Sequence, residues 1–249
     1  MRSNSWFGLR CKNEMSQRAF GRITSYRKYE LFMERYRSAA EIVRRELSLN
    51  PETRFLDVGC GNGIMKFFFD DAEGIWHGIE EWGERVECCE KLGYEVAQLN
   101  IETTPFPYPD ASFDTVFASH VIEHLKEPAL AIHECARVLK PGGLLLVATP
   151  TKPPLFGRLI NAWHHLTPKK LGQTQNAFST RSLRRFVDRT LSKESGPPWR
   201  LVDCRGFRLV SCRSRWTLED HYWFYRLNTI LARHATDLVP EVNLIYQKG

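Results

Sequence analysis

The chain has 249 residues, 43% of them hydrophobic and 26% charged, with a net charge of +6. That is long enough for one large domain with extensions and a substantial core, and too apolar for a disordered chain. The opening MRSNSWFGLRCKNEMSQRAF lacks the apolar centre of a secretory signal, and no run approaches the roughly 18 apolar residues of a membrane span, so a soluble, cytoplasmic protein is expected.

The seven cysteines (Cys11, Cys60, Cys88, Cys89, Cys135, Cys204, Cys212) are odd in number and form no C-x-x-C, which argues against a disulfide framework or a thiolate zinc site. Charge is segregated. Residues 1–50 carry eleven basic against five acidic side chains, residues 51–150 seven against seventeen, and residues 151–249 seventeen against seven. An acidic middle is flanked by basic ends.

Residues 15–48 have helical spacing, with Leu31, Tyr36, Ala39, Ala40, Val43 and Leu47 on one stripe and Asn50-Pro51 as the stop. RFLDVGCGNG then reads as a strand entering a glycine turn, and IMKFFFD as the helix after it. IWHGIE (75–80) is a second strand, WGERVECCEKLG (82–93) a helix closed by Gly93, YEVAQLN (94–100) a third strand and FDTVFAS (113–119) a fourth. Pro128 starts a helix with Ala131, Cys135, Val138 and Leu139 on one face; PGG breaks it, and LLLVATP (144–150) is a fifth strand, apolar on both faces. This alternation predicts a doubly wound, mostly parallel α/β sheet with helices on both faces.

Ligands in such sheets bind beyond the carboxyl ends of the strands. After the first strand come Asp57, Gly59, Cys60, Gly61 and Gly63, a G-x-G-x-G run in which Ile64 replaces the third glycine of a dinucleotide fingerprint, and no Gly-Lys-Ser/Thr follows. Glu80 ends the second strand seventeen residues past Gly63, where an acid can accept hydrogen bonds from ribose hydroxyls. His120, Glu123 and His124 form H-x-x-E-H at the fourth strand's end, letters shared with some zinc proteases.

Taken in order, FLDVGCGNG, GIE, NIETTPFPYPDASFDTV, HVIEHL, RVLKPGG and LLLVATP, over residues 54–150, resemble the successive motifs of class I S-adenosylmethionine-dependent methyltransferases. The resemblance implies a Rossmann-like sheet of seven strands with an antiparallel edge strand. Residues 51–150 would form the cofactor-binding core, residues 1–50 a helical extension or lid, and residues 151–249 the cap helices and last strands. It implies that Asp57, Gly59, Cys60 and Gly61 lie at the methionine part of S-adenosylmethionine and Glu80 at its ribose. Asn100, in place of the family's frequent Asp, would face the adenine amino group with Ile101 and Glu102, and Ser119 would line the methionyl end.

His120, near the sulfonium methyl, is the candidate general base, with a pocket-shaping role as the alternative. Glu123 and His124 are expected to form a hydrogen-bonded pair that steadies a turn. A metal-binding reading, as in 2′-O-methyltransferases of small-RNA ends, would need help from His133.

The acceptor would be chosen outside the core. Residues 150–170 are expected to form a cap. FSTRSLRRFVDR (178–189) reads as a capped helix with Leu183, Phe186 and Val187 inward and Arg181, Arg184, Arg185 and Arg189 in water. WTLEDHYWFYRLN (216–228) would complete the core or wall the acceptor pocket, and LIYQKG would be the antiparallel strand at the sheet edge. A small-molecule acceptor, anionic or linked to lipid or glycan, is the preferred substrate. The basic flanks keep an RNA methyltransferase open, and a catalytically silent partner-binding relative is the third reading.

Overall fold

The computed structural model describes residues 26–69, 73–154, 175–194, 196, 198–207 and 222–249. Residues 15–25, 155–170 and 216–221, for which helix, cap and aromatic-segment expectations were formed, lie outside the described residues, as does the side chain of Leu31.

In chain order the elements are α1 (Tyr26–Glu46), β1 (Arg54–Val58), β2 (Ile75–Glu80), α2 (Gly83–Lys91), β3 (Tyr94–Gln98), β4 (Phe113–Ser119), α3 (Pro128–Val138), β5 (Leu139–Pro150), α4 (Thr180–Leu191), β6 (Arg200–Phe207), α5 (Tyr222–His234) and β7 (Glu241–Gln247). IMKFFFD, read as a helix, winds into a short 3-10 segment, Ile64–Phe68, and a second one spans Ile122–His124. The seven strands lie in the order β3-β2-β1-β4-β5-β7-β6. β1 to β5 are mutually parallel, and β7 pairs antiparallel with both β5 and β6. The order reverses at β1, which has β2 on one side and β4 on the other, so the crevice favoured for ligands opens at the tips of these strands.

Two expectations need correction. The last strand is antiparallel but does not form the edge. Its EVNLIY run is buried at every position and needs cover on both faces, whereas β6 carries Arg200, Asp203 and Arg205 and tolerates the exposed rim. PGG also does not simply precede a strand. It is a bulge inside β5, where the register jumps from Phe113 opposite Leu139 to Thr115 opposite Leu144.

The sheet is covered on both faces. On one, Leu56, Val58, Ile79 and Val116 meet Ile132 and Cys135 of α3 and Leu183 and Val187 of α4. On the other, Phe55, Trp76 and Phe117 stack, with Trp76 and Phe117 nearly parallel at 5.7 Å, and meet Ala39, Ala40 and Val43 of α1. Each such fully buried side chain contributes roughly 1.5–3 kcal/mol relative to exposure. The helix α1 stripe therefore packs as its spacing predicts.

Helix α4 starts as its sequence suggests. Ser179 Oγ accepts the Ser182 N–H at 3.2 Å, and Ser182 Oγ accepts the Ser179 N–H at 2.8 Å. Leu183 and Val187 are fully buried and the four arginines stay outside. Ser179→Ala should cost about 1 kcal/mol in urea unfolding, because it leaves a first-turn N–H without its acceptor. An unchanged midpoint would show that water serves that N–H equally well.

The aromatic segment completes the core only in part. On α5, Asn228 and Ala232 are buried, but Trp223 is 60% exposed and Leu227, Ile230 and Leu231 share its outer face. No described helix is long and apolar enough to cross a membrane.

Candidate functional site

The β1 strand delivers Asp57 and the glycine run to the crevice. Gly59 has φ +64°, and a Cβ there would lie 2.6 Å from Val121 Cγ2; Gly61 has φ +56° with nothing nearer than 3.9 Å to its missing Cβ. The first glycine is thus required by packing, and the second leaves open backbone for a ligand to approach. Gly59→Ala combines a left-handed φ, about 1–2 kcal/mol unfavourable for Ala, with the Val121 overlap. A lowered urea midpoint is expected, and a midpoint equal to wild type would mean that loop and Val121 move apart freely.

Cys60 turns its thiol inward against Gly78, where a Cβ would lie 2.7 Å from the sulfur. The neighbouring Cys89 thiol and burial push the Cys60 thiol up, so it stays protonated and only its backbone is available to the crevice. Asp57 is buried beneath the loop, where its carboxylate accepts the Tyr94 hydroxyl at 3.3 Å. Burial, with Glu80 adding to it against the pull of Tyr94, pushes Asp57 up to about 7.

Glu80 at the tip of β2 is 5% exposed. Its Oε2 accepts the Gly61 N–H at 2.9 Å, and its Oε1 accepts the N–H groups of Glu81 and Trp82, both at 3.1 Å. Arg85 stands 3.7 Å from Oε1. A carboxylate offers about four lone-pair sites. Three are therefore engaged, and the remaining capacity lies on Oε2, beside the open face of Gly61.

The next loop is tied down by its own side chains. Asn100 Oδ1 accepts the Glu102 N–H at 2.8 Å, and Asn100 Nδ2 donates to Glu81 Oε1 at 2.9 Å. Glu102 accepts the Lys126 N–H, and Ile101 packs on the core cluster beneath. An Asx-type turn gives Asn a structural use that the sequence alone did not reveal.

Ser119 ends β4, and His120 follows in the left-handed region at φ +58°. Such a backbone costs of order 1–3 kcal/mol and persists where surroundings over-determine it. Here the His120 N–H donates to Ala148 O at 2.8 Å, and the ring Nε2 lies 2.7 Å from Glu241 Oε1 and 2.9 Å from Arg35 Nη1. Arg35 and Glu241 form a buried ion pair, and Arg35 also donates to the Tyr36 hydroxyl at 2.8 Å. Burial works against the Arg35 charge, but Glu241 and Tyr36 together more than offset this and raise the guanidinium further. Asn243 Nδ2 donates to Arg35 O at 2.9 Å, fastening α1 to β7.

Glu123 is buried, with Oε1 at 3.6 Å from His120 Nδ1 and 3.7 Å from His124 Nε2. Both separations exceed hydrogen-bond length, so the expected Glu123–His124 hydrogen bond is replaced by a looser contact. Glu123 Oε2 receives no hydrogen bond from the described residues. The turn is steadied instead by Glu123 O, which accepts the N–H groups of Gln175 and Asn176 at 2.7 and 3.0 Å. His133 pairs with Glu194 at the end of α4 rather than with His124.

Sequence reasoning missed Arg35, Tyr36, Glu241 and Asn243. The one available signal was Arg35, a charge four residues before Ala39 on an otherwise apolar stripe, which is uncommon unless the charge is paired.

Fold and crevice together define a Rossmann-like protein with an acidic residue facing a glycine turn, the arrangement that receives a nucleoside. Residues 56–147 match the methyltransferase domain family. A protein of Mycolicibacterium smegmatis named a probable S-adenosylmethionine-dependent methyltransferase is 54% identical over 187 residues, covering 73% of this chain and 71% of that protein. The chain belongs to the S-adenosylmethionine-dependent methyltransferases, whose methyl donor is S-adenosylmethionine.

The 27-O-demethylrifamycin SV methyltransferase of Amycolatopsis mediterranei is 35% identical over 106 residues, 40% of this chain and 39% of that one. The match thus spans about two fifths of that relative. Among solved structures, a methyltransferase of Thermotoga maritima superposes with a TM-score of 0.54 at 20% identity, covering 92% and 98% of the two chains. The cyclase SpnF superposes with 0.55 at 19% identity, covering 85% and 81%. Both show a shared fold, and a cyclase among them shows that the fold alone does not name the reaction.

Proposed function

We propose that the chain transfers a methyl group from S-adenosylmethionine to an oxygen or nitrogen of a small-molecule acceptor, with the cofactor lying across the tips of β1, β2 and β3. The observation that carries this reading is the Glu80 carboxylate, buried at the strand tips beside the open backbone of Gly61. Spare acceptor capacity next to a surface without a side chain fits a ribose hydroxyl and the methionine chain beyond it. Gly59, Cys60 and Gly61 would contact that chain, with Asp57 supporting the loop from below. Asn100, Ile101 and Glu102 would border the adenine, and Ser119 the methionyl end.

The bound cofactor supplies a methyl carbon on a sulfonium, whose C–S electron pair leaves on sulfur. The protein's work is to hold the acceptor in line, exclude water and take a proton where the acceptor has one to lose. His120, at the tip of β4 and 27% exposed, would take on that last task. Residues 1–50 would act as a helical cover and residues 151–249 as the part that selects the acceptor. The name of the rifamycin relative, a methyltransferase of a 27-O-demethyl small molecule, supports a hydroxyl acceptor.

The test is transfer of isotopically labelled methyl from the cofactor to a panel of hydroxylated small molecules. His120→Gln should lower turnover by roughly 10²–10⁴-fold, the usual contribution of a general base, with cofactor affinity unchanged. A protein that binds cofactor yet methylates nothing in the panel, small RNA included, would favour a non-catalytic role.

A further inference from the structure

Resting on the reading of His120 as the base, we infer that Glu241, neutralised by Arg35, is a positioning residue. It holds the His120 ring with its proton on Nε2, so that Nδ1 is the atom that accepts the acceptor's proton.

The argument is one of donors and acceptors. Glu241 Oε1 lies 2.7 Å from Nε2, and an ionised carboxylate can only accept. A bare nitrogen lone pair at that distance would face a negative oxygen. The shorter contact thus assigns the hydrogen to Nε2, which shares Oε1 with Nη1 of Arg35, a donor to the same carboxylate. Arg35 Nη1, which can only donate, also lies 2.9 Å from Nε2, and the shorter 2.7 Å contact with Glu241 is the one taken to hold the ring hydrogen.

Nδ1 is left with its lone pair. Glu123 Oε1 lies 3.6 Å from it, and Glu123 Oε2 is buried with no hydrogen bond from the described residues. The groups facing the ring are thus Arg35, with Tyr36 behind it, from α1, Glu241 from β7, and Glu123 from the 3-10 turn. When the acceptor's hydroxyl releases its proton, that proton joins the Nδ1 lone pair. The resulting imidazolium keeps its Nε2–H on Glu241, and Glu123 Oε1 stands 3.6 Å from Nδ1.

The left-handed backbone of His120 fits the same purpose. A side chain held in a strained conformation by contacts from α1 and β7 is aimed by elements 85 and 121 residues away in sequence.

The experiment is a long-range proton–nitrogen correlation spectrum of the histidine rings in the ¹⁵N-labelled full chain at about pH 8, above the ordinary histidine range. The His120 signals are identified by their loss in His120→Gln. The wild-type ring should be the Nε2–H tautomer. Glu241→Gln removes the carboxylate's charge while Arg35, which can only donate, stays beside Nε2, so the population should move toward Nδ1–H. An Nδ1–H ring in the wild type, or an unmoved tautomer in folded Glu241→Gln, overturns the inference. If that variant does not fold, the wild-type spectrum alone decides. The spectrum needs neither cofactor nor acceptor, so a wrong tautomer overturns this inference by itself. Undiminished turnover in His120→Gln overturns the base reading beneath it.

Discussion

Glu80→Ala is expected to weaken S-adenosylmethionine binding by roughly 1–3 kcal/mol, about 5- to 150-fold in Kd. Two losses combine. The ligand's hydroxyl loses its acceptor, and the N–H groups of Gly61, Glu81 and Trp82 lose theirs, so the glycine loop is no longer held at the tip of β2. Glu80→Gln separates the two losses, because it keeps one oxygen and the shape but replaces the other acceptor by a donor. Its affinity should fall between wild type and Ala. Calorimetric titration of the three proteins measures this, and equal affinities would remove Glu80 from the cofactor site.

The second large effect concerns stability. Glu241→Leu removes the carboxylate paired with the buried Arg35 guanidinium, and breaking a buried pair from one side typically costs about 3–5 kcal/mol. The double variant Arg35→Met, Glu241→Leu should recover most of that loss, since an apolar pair of similar volume removes both desolvation penalties. Urea unfolding of the two single variants and the double variant closes the cycle. A loss below about 1 kcal/mol in Glu241→Leu would place the pair with weak surface ion pairs and show that water reaches Arg35 freely.

Much of the architecture was readable along the chain because its signals are local. The strand, turn and helix alternation of residues 54–150, the glycine run, the acid at position 80 and the Ser-capped α4 depend on residues within a few positions of one another. The errors arose where a distant element set the outcome. Whether β7 or β6 takes the edge depends on which apolar run finds cover on both faces, and the PGG bulge appears only when β5 is aligned with β4. Asn100 and Glu102 read as ligand contacts, yet their polar groups also serve backbone N–H groups that sequence spacing does not display.

The sequence by itself determined a parallel sheet, a glycine turn and a carboxylate at the end of the second strand, because periodicity and turn chemistry act over short range. Only the tertiary structure decided what surrounds His120. Arg35 and Glu241 are 206 residues apart, and their meeting beside the imidazole ring follows from α1 and β7 packing together rather than from any pattern in either segment.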